Sequence, residues 1–281
     1  MPVEELMGAR VEIGPHRLRV ANPIVDRVLP GAAHLVAERN CAVLSVRGVG
    51  TFAVTEGSRV CLQPQPNADP GVIAAWLQGT VAALLLAQRG RFALHASVNE
   101  VDGRAVAVAG QRSVGKSTTA LRLVQRGHRL IADDVSPVEA EGPIIVRPYA
   151  RPIHVAAGTA ESLRLDLSQA WRPFTGHPKL ALPAPVRTVV QLAAVVVLRA
   201  GTDDAVTAER VRGARAHWDI ATNIYRIELL EPLWREELFE LASAISTNVP
   251  VWALTRPAGG WTVDEVADAV ERIAGPRRGE R

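Results

Sequence analysis

The chain has 281 residues, 48% apolar and 4% aromatic. That is enough for one large domain or two small ones around a core of Val, Leu, Ala and Ile, and it excludes disorder as the main state. With 32 basic against 29 acidic residues, the net charge of +3 leaves no basic footprint for nucleic acid. Two cysteines, Cys41 and Cys61, exclude a disulfide scaffold and a Cys-rich zinc site.

The start, MPVEELMGAR, has early glutamates and no apolar stretch, so it does not read as a signal peptide. The runs VEIGPHRLRV, CAVLSVRGVG and TFAVTEGSRVCL alternate apolar residues with Gly and Pro and read as strands of a small β-rich layer. Asn67-Ala-Asp-Pro70 then punctuates the chain. A helix is predicted from there to about Gln88, with Gly90 as its stop. Its apolar run, Gly71 to Ala87, is at the lower limit of a membrane span and contains Gln78, Gly79 and Thr80; it reads as a buried helix, with no membrane partner. The expected setting is the cytoplasm.

After Gly90 the pattern becomes strand, turn, strand, helix, strand. FALHASVNE and RAVAVAG are strands around the turn Val101-Asp102-Gly103, STTALRLVQRG is a helix ending at Gly127, and HRLIADD is a strand. Further strands are predicted at 144–146, 189–198 and 251–254. Helices are predicted near 232–246 and 262–273, the latter with a capping box of Thr262 and Glu265. Four prolines between Trp171 and Pro185 predict an irregular segment there. The expected organisation is a β-rich region plus helix over 1–90, an α/β P-loop domain with a central, mostly parallel or mixed sheet over 91–275, and a frayed tail over 276–281.

The strongest motif is Gly110-Gln111-Arg112-Ser113-Val114-Gly115-Lys116-Ser117, matching G-x-x-x-x-G-K-[ST] between an apolar strand and a helix. Glycines let the backbone turn its N–H groups inward, and with the helix N-terminus, which includes Thr118, they form an anion site for the β-phosphate. Lys116 then reaches the β/γ oxygens as a point charge, and Ser117 supplies its hydroxyl to Mg²⁺. Of the 32 basic residues only Lys116 and Lys179 are lysines, so a lysine at this position is not a by-product of composition.

Asp133 and Asp134 close the strand HRLIADD. Alternation along a strand turns the two carboxylates different ways, one able to hold the metal and the other to take a proton from a hydroxyl. His95 lies in the strand before the loop's own strand. It is either a satisfied core residue or a hydrogen-bond partner of Asp134. Arg147, Arg151, Arg172 and Lys179 follow in the irregular segment, as solvated surface charge or as clamps for phosphate or carboxylate.

The stretch from His95 to Asp134, with Arg126-Gly-His-Arg-Leu-Ile-Ala-Asp-Asp134 at its end, resembles the HPr kinase/phosphorylase family of P-loop serine kinases. The resemblance implies ATP and Mg²⁺ as cofactors and a peptide or protein acceptor serine. It also implies His95, Lys116 and Asp134 as catalytic residues, with Asp134 the base, and Ser117 at the metal, which leaves Asp133 as the metal-holding carboxylate of the pair. The family's glutamate before an Arg-Gly pair has no counterpart; the nearest segment is Ile144-Ile-Val-Arg147-Pro148. The small front region makes the chain look most like the shorter members, which include kinases of lasso-peptide precursors. The family's regulatory members form hexamers, so a homo-oligomer stays open. Other readings are HPr kinase/phosphorylase proper, a small-molecule kinase, a P-loop ATPase or nucleotide switch, and a non-catalytic binding module. No N-K-x-D or LSGGQ-type motif supports a GTPase or a transporter ATPase.

Overall fold

A computed structural model of the chain describes residues 5–15, 18–29, 32–183 and 188–275. The expected frayed tail at 276–281 lies outside them, as does Pro185. The chain divides into two compact units, residues 1–92 with 172–177 and 226–238, and residues 93–171 with 178–225 and 239–281.

The first unit holds a seven-stranded sheet. In chain order its strands are β1 (Glu5–Leu6), β2 (Ala9–Ile13), β3 (Val25–Leu29), β4 (Ala33–Glu38), β5 (Cys41–Val46), β6 (Gly50–Thr55) and β7 (Arg59–Pro64); in space the order is β1-β2-β7-β6-β5-β4-β3. Alternation along β4 and β5 buries Leu35 and Leu44, which join Phe52 and Leu62 in a fully enclosed core. Burying each such side chain contributes about 1.5–3 kcal/mol. Strands β3 and β4 were not foreseen, because Asn22-Pro23 and the polar positions between 26 and 38 hide their alternation.

The predicted apolar helix follows. Asp69 caps it, accepting from the Gly71 N–H at 2.8 Å, and Pro70 opens α1 (Pro70–Trp76). A π-helical turn, Leu77–Val81, then leads into α2 (Ala82–Ala87), buried along its whole length. Among the described residues this is the one helix long and apolar enough to cross a membrane.

The second unit is built on a nine-stranded mixed sheet. Its strands are β8 (Phe92–Leu94), β9 (Ala96–Val101), β10 (Arg104–Gly110), β11 (Arg129–Ala132), β12 (Ser136–Glu139), β13 (Ile145–Val146), β16 (Val190–Gly201), β17 (Thr207–Val211) and β18 (Val251–Pro257); a separate hairpin pairs β14 (Ile153–Ala156) with β15 (Lys179–Leu182). The helices are α3 (Lys116–Gln125), α4 (Ala157–Ser162), α5 (Gly213–Ala221), α6 (Ile227–Asn248) and α7 (Val263–Ala274); α6, which begins in the first unit, is kinked at Trp234, two residues after Pro232. The order is β11-β9-β10-β16-β13-β12-β8, with β18 also parallel to β16 and β17 antiparallel to β18. The fold is therefore α/β, a mixed sheet with a parallel centre β10–β16–β18, together with a β-rich N-terminal region. The parallel centre explains the apolar runs of β10 and β16: Val106, Val108, Val196 and Leu198 pack with Leu123 of α3 and Val266 and Val270 of α7.

Several expectations are corrected. FALHASVNE is not one strand, since it breaks at His95 between β8 and β9. Antiparallel β9 separates β10 from strand β11. It also stops at Ala132, leaving both aspartates beyond it, and Asp134 adopts a left-handed φ of 67°. A bend, not strand pleating, sends the two carboxylates apart. The segment 171–185 is not wholly irregular, because β15 forms within it. The capping box is not made, since Thr262 has no side-chain cap bond; the first-turn Asp264 of α7 pairs with Arg122 of α3 and with Arg126 just past its end. Arg126 also binds Asp268, and His128 binds Glu271, so these two motif residues tie α3 and β11 to α7.

Candidate functional site

The loop from Gly110 to Lys116 joins the end of β10 to the start of α3. Three of its residues take left-handed φ values, Gly110 at 134°, Ser113 at 63° and Gly115 at 116°. Gly110 is forced to be glycine, since a Cβ there would stand 2.4 Å from the Leu198 carbonyl oxygen of the neighbouring strand. Arg256 of β18 holds the loop from outside, donating from Nε to the Val114 carbonyl at 2.9 Å. The first turn of α3 carries no acidic side chain and Gly115 supplies no side-chain cap. The N–H groups there are available to an anion, which the helix dipole also favours.

Lys116 folds back into this loop. Its Nζ donates to the carbonyls of Gly110 at 2.8 Å and Gln111 at 3.1 Å, and the side chain is buried. Burial pulls the ammonium below its ordinary pKa against the opposing pull of Asp134 and Asp133. Gln111, Arg112 and Ser113 are exposed, Val114 is buried, and Gly115, Ser117 and Thr118 are half-buried.

The two aspartates have different partners. Asp133 is buried; it accepts from Ser97 at 2.5 Å and from the Ser117 hydroxyl at 3.0 and 3.3 Å. Burial pushes its carboxyl up, with the hydrogen bonds from the two serines pulling the other way. Asp134 meets His95 Nε2 at 3.0 Å through one oxygen and an Arg151 guanidinium nitrogen through the other. Burial alone would raise Asp134, but His95 and Arg151 outweigh it and hold the carboxyl well below the usual carboxylate range.

From the 147–179 segment, Arg151 reaches this cluster by a direct contact to Asp134. Burial disfavours its charge, and Asp134 more than restores it. Arg147 pairs instead with Glu139, and Arg172 donates to the His177 carbonyl. Lys179 begins β15 and is exposed. Arg151→Met is expected to cost about 1–2 kcal/mol in urea denaturation. That is less than a fully buried pair costs to break, because the remaining Asp134 is 37% exposed and can be hydrated. An unchanged midpoint would show the pair to be energetically neutral.

Ser117 and Asp133 present a hydroxyl and a buried carboxylate side by side, the hard oxygen donors Mg²⁺ takes. Among the described residues no group of three His, Cys, Asp or Glu side chains stands ready as a metal cage. A metal held here would complete its shell with phosphate oxygens and water.

Some of the site escaped sequence reasoning. Ser97 had a signal: His95, Ser97 and Asn99 alternate in an otherwise apolar strand, which puts three polar side chains on one face. Asn223, whose Oδ1 accepts from the Gly110 N–H at 2.8 Å, had none, being 113 residues away in sequence.

Residues 86–152 match the family model of the HPr Serine kinase C-terminal domain. The chain is 40% identical over 79 residues to an HPr kinase/phosphorylase of Limosilactobacillus reuteri, covering 28% of this chain and 22% of that protein. It is 33% identical over 121 residues to one of Enterococcus faecalis, covering 39% and 37%, and 54% identical over 43 residues to one of Treponema pallidum, covering 15% and 14%. The chain thus spans well under half the length of these curated relatives. Among solved structures it is similar to the Hpr(Ser) kinase/phosphatase of Coxiella burnetii at 14% identity and a TM-score of 0.33, over 64% of this chain and 88% of that one. Residues 86–152, the stretch similar to that kinase domain, contain His95, the whole loop, both aspartates and Arg151.

Proposed function

We propose that the chain is an ATP-dependent kinase that transfers the γ-phosphoryl group to a serine hydroxyl of a peptide or protein. The observation that carries this reading is the convergence of an anion-ready loop, a buried ammonium and two aspartates with different partners, one on the Ser117 hydroxyl and the other on His95 and Arg151. The loop 110–118 holds the triphosphate, with Lys116 turning from its two carbonyls to the β/γ oxygens. Ser117 and Asp133 would hold Mg²⁺, which when bound would supply positive charge beside the phosphate oxygens.

In the transfer, the serine oxygen forms a bond to the γ-phosphorus as the bond to the β-bridging oxygen breaks, and ADP leaves. The serine proton passes to the Asp134 carboxylate. Held so far below its usual range by His95 and Arg151, Asp134 is a weak base. In a loose transition state little proton transfer is needed before the phosphoryl group moves, so its first task is to accept the hydroxyl's hydrogen bond and aim the oxygen in line. His95 fixes the carboxylate's orientation.

The proposed acceptor is a precursor peptide of the lasso-peptide class. That rests on the resemblance to shorter family members, whereas the relatives above are named for HPr. The reading is tested by incubating the protein with γ-labelled ATP and Mg²⁺, and with HPr, a synthetic peptide ending in serine, free serine, or no acceptor. Phosphoserine on the peptide is the expected product. Label on HPr or free serine would move the acceptor assignment, and steady phosphate release without any acceptor would favour an ATPase or switch.

A further inference from the structure

The antiparallel ladder between β9 and β10 runs from Arg104 opposite Val101 to Ala109 opposite Ala96. One further rung of the same register would set Gly110 opposite His95. That rung is not made. The His95 N–H donates to the Asn223 main-chain oxygen at 2.7 Å, and the Gly110 N–H donates to Asn223 Oδ1 at 2.8 Å. A single residue takes both backbone donors at the point where the two strands part, one strand leading into the phosphate loop and the other carrying the side chain that touches Asp134.

Asn223 is itself held in place. Its Nδ2 donates to the Asp219 carbonyl at 2.8 Å and its N–H to the Ile220 carbonyl at 3.0 Å, both at the end of α5. The Asp219 carboxylate pairs at 2.6 Å with Arg199, the residue after Leu198, whose register partner is Gly110. The chain beyond Asn223 continues along the His95 side. Ile224 bridges to Leu94, the Tyr225 N–H donates to the Ala93 carbonyl at 2.8 Å, and the Tyr225 ring meets His95 edge-on at 5.9 Å.

We infer that Asn223 is a positioning residue, a splint that replaces the next rung of the ladder, keeps the phosphate loop and the His95 segment apart, and fixes the spacing between them. This rests on the reading of 110–118 as a phosphate loop. An amide does both jobs, its oxygen accepting from the Gly110 N–H and its nitrogen donating to the Asp219 carbonyl; an aspartate keeps the first and loses the second, and a leucine or an alanine makes neither. Zipped shut, the two strands would satisfy the same donors but close the opening in which a γ-phosphate and a hydroxyl have to meet.

The test uses two variants and two readouts, amide hydrogen exchange at Gly110 and His95 and titration with MgATP. Asn223→Ala is expected to speed exchange at Gly110 by about tenfold and to weaken MgATP binding about five- to tenfold, the loss of roughly one hydrogen bond. Asn223→Asp keeps the acceptor, so protection at Gly110 is expected to return to within about threefold of the parent, a rescue that general destabilisation would not produce. Should Asn223→Ala not fold, Asn223→Ser, which is too short to reach, serves in its place. Unchanged exchange and MgATP affinity in the alanine or serine variant, or no rescue by aspartate in a folded protein, would overturn the splint. If the parent protein itself fails to bind MgATP, the kinase reading falls, while the exchange measurement still decides the role of Asn223.

Discussion

Asp134→Asn is expected to bind MgATP within about threefold of the parent and to transfer phosphate at least about 10²-fold more slowly, the range general-base groups contribute. The two effects separate because Asp134 is bonded to His95 and Arg151, and not to the loop proposed to hold the phosphates. An asparagine amide keeps an oxygen for one of these partners, but it has no charge to orient and deprotonate a hydroxyl. It also leaves Arg151, 10% exposed by its side chain, without a counter-charge. Some stability is therefore lost, and the thermal midpoint has to be followed with the rate. Single-turnover transfer to whichever acceptor proves competent is the deciding measurement. A rate within a fewfold of the parent would remove Asp134 from the chemistry.

Lys116→Met is expected to weaken MgATP binding by about 10²-fold, from two lost charge-assisted hydrogen bonds of roughly 1.5–3 kcal/mol each, partly offset by water. Its effect on folding has a different sign. The ammonium is buried and its charge is disfavoured there, so an apolar chain of similar volume relieves a desolvation cost while giving up bonds to two carbonyls. The expected outcome is a protein of equal or higher thermal midpoint that no longer binds nucleotide, the trade-off of a site tuned for its ligand at the expense of stability. Calorimetric titration beside a thermal melt checks both halves. A large fall in midpoint with affinity intact would make Lys116 a structural residue.

How much of this was legible before the structure depends on the range of each interaction. The strand–loop–helix around Gly110 to Ser117 is local, and its glycines and lysine declared it. The apolar centres of β10 and β16 announced strands covered on both faces. What stayed hidden was settled at long range. That β9 lies between β10 and β11 depends on which strand finds which edge, and no residue within HRLIADD records it. The break at His95 depends on a carbonyl from Asn223, 128 residues later in the chain. Asp133 and Asp134 stand out in the sequence as a pair, but strand alternation does not separate their carboxylates; a left-handed Asp134 does.

The most direct test is a crystal structure of the protein with a non-hydrolysable ATP analogue and Mg²⁺. The triphosphate is expected on the N–H groups of residues 110–118, with Lys116 Nζ about 3 Å from a β or γ oxygen and the Asp134 carboxylate facing the open side of the γ-phosphorus. An analogue bound elsewhere with this loop empty, or an Asp134 turned away from the γ-phosphate, would contradict it.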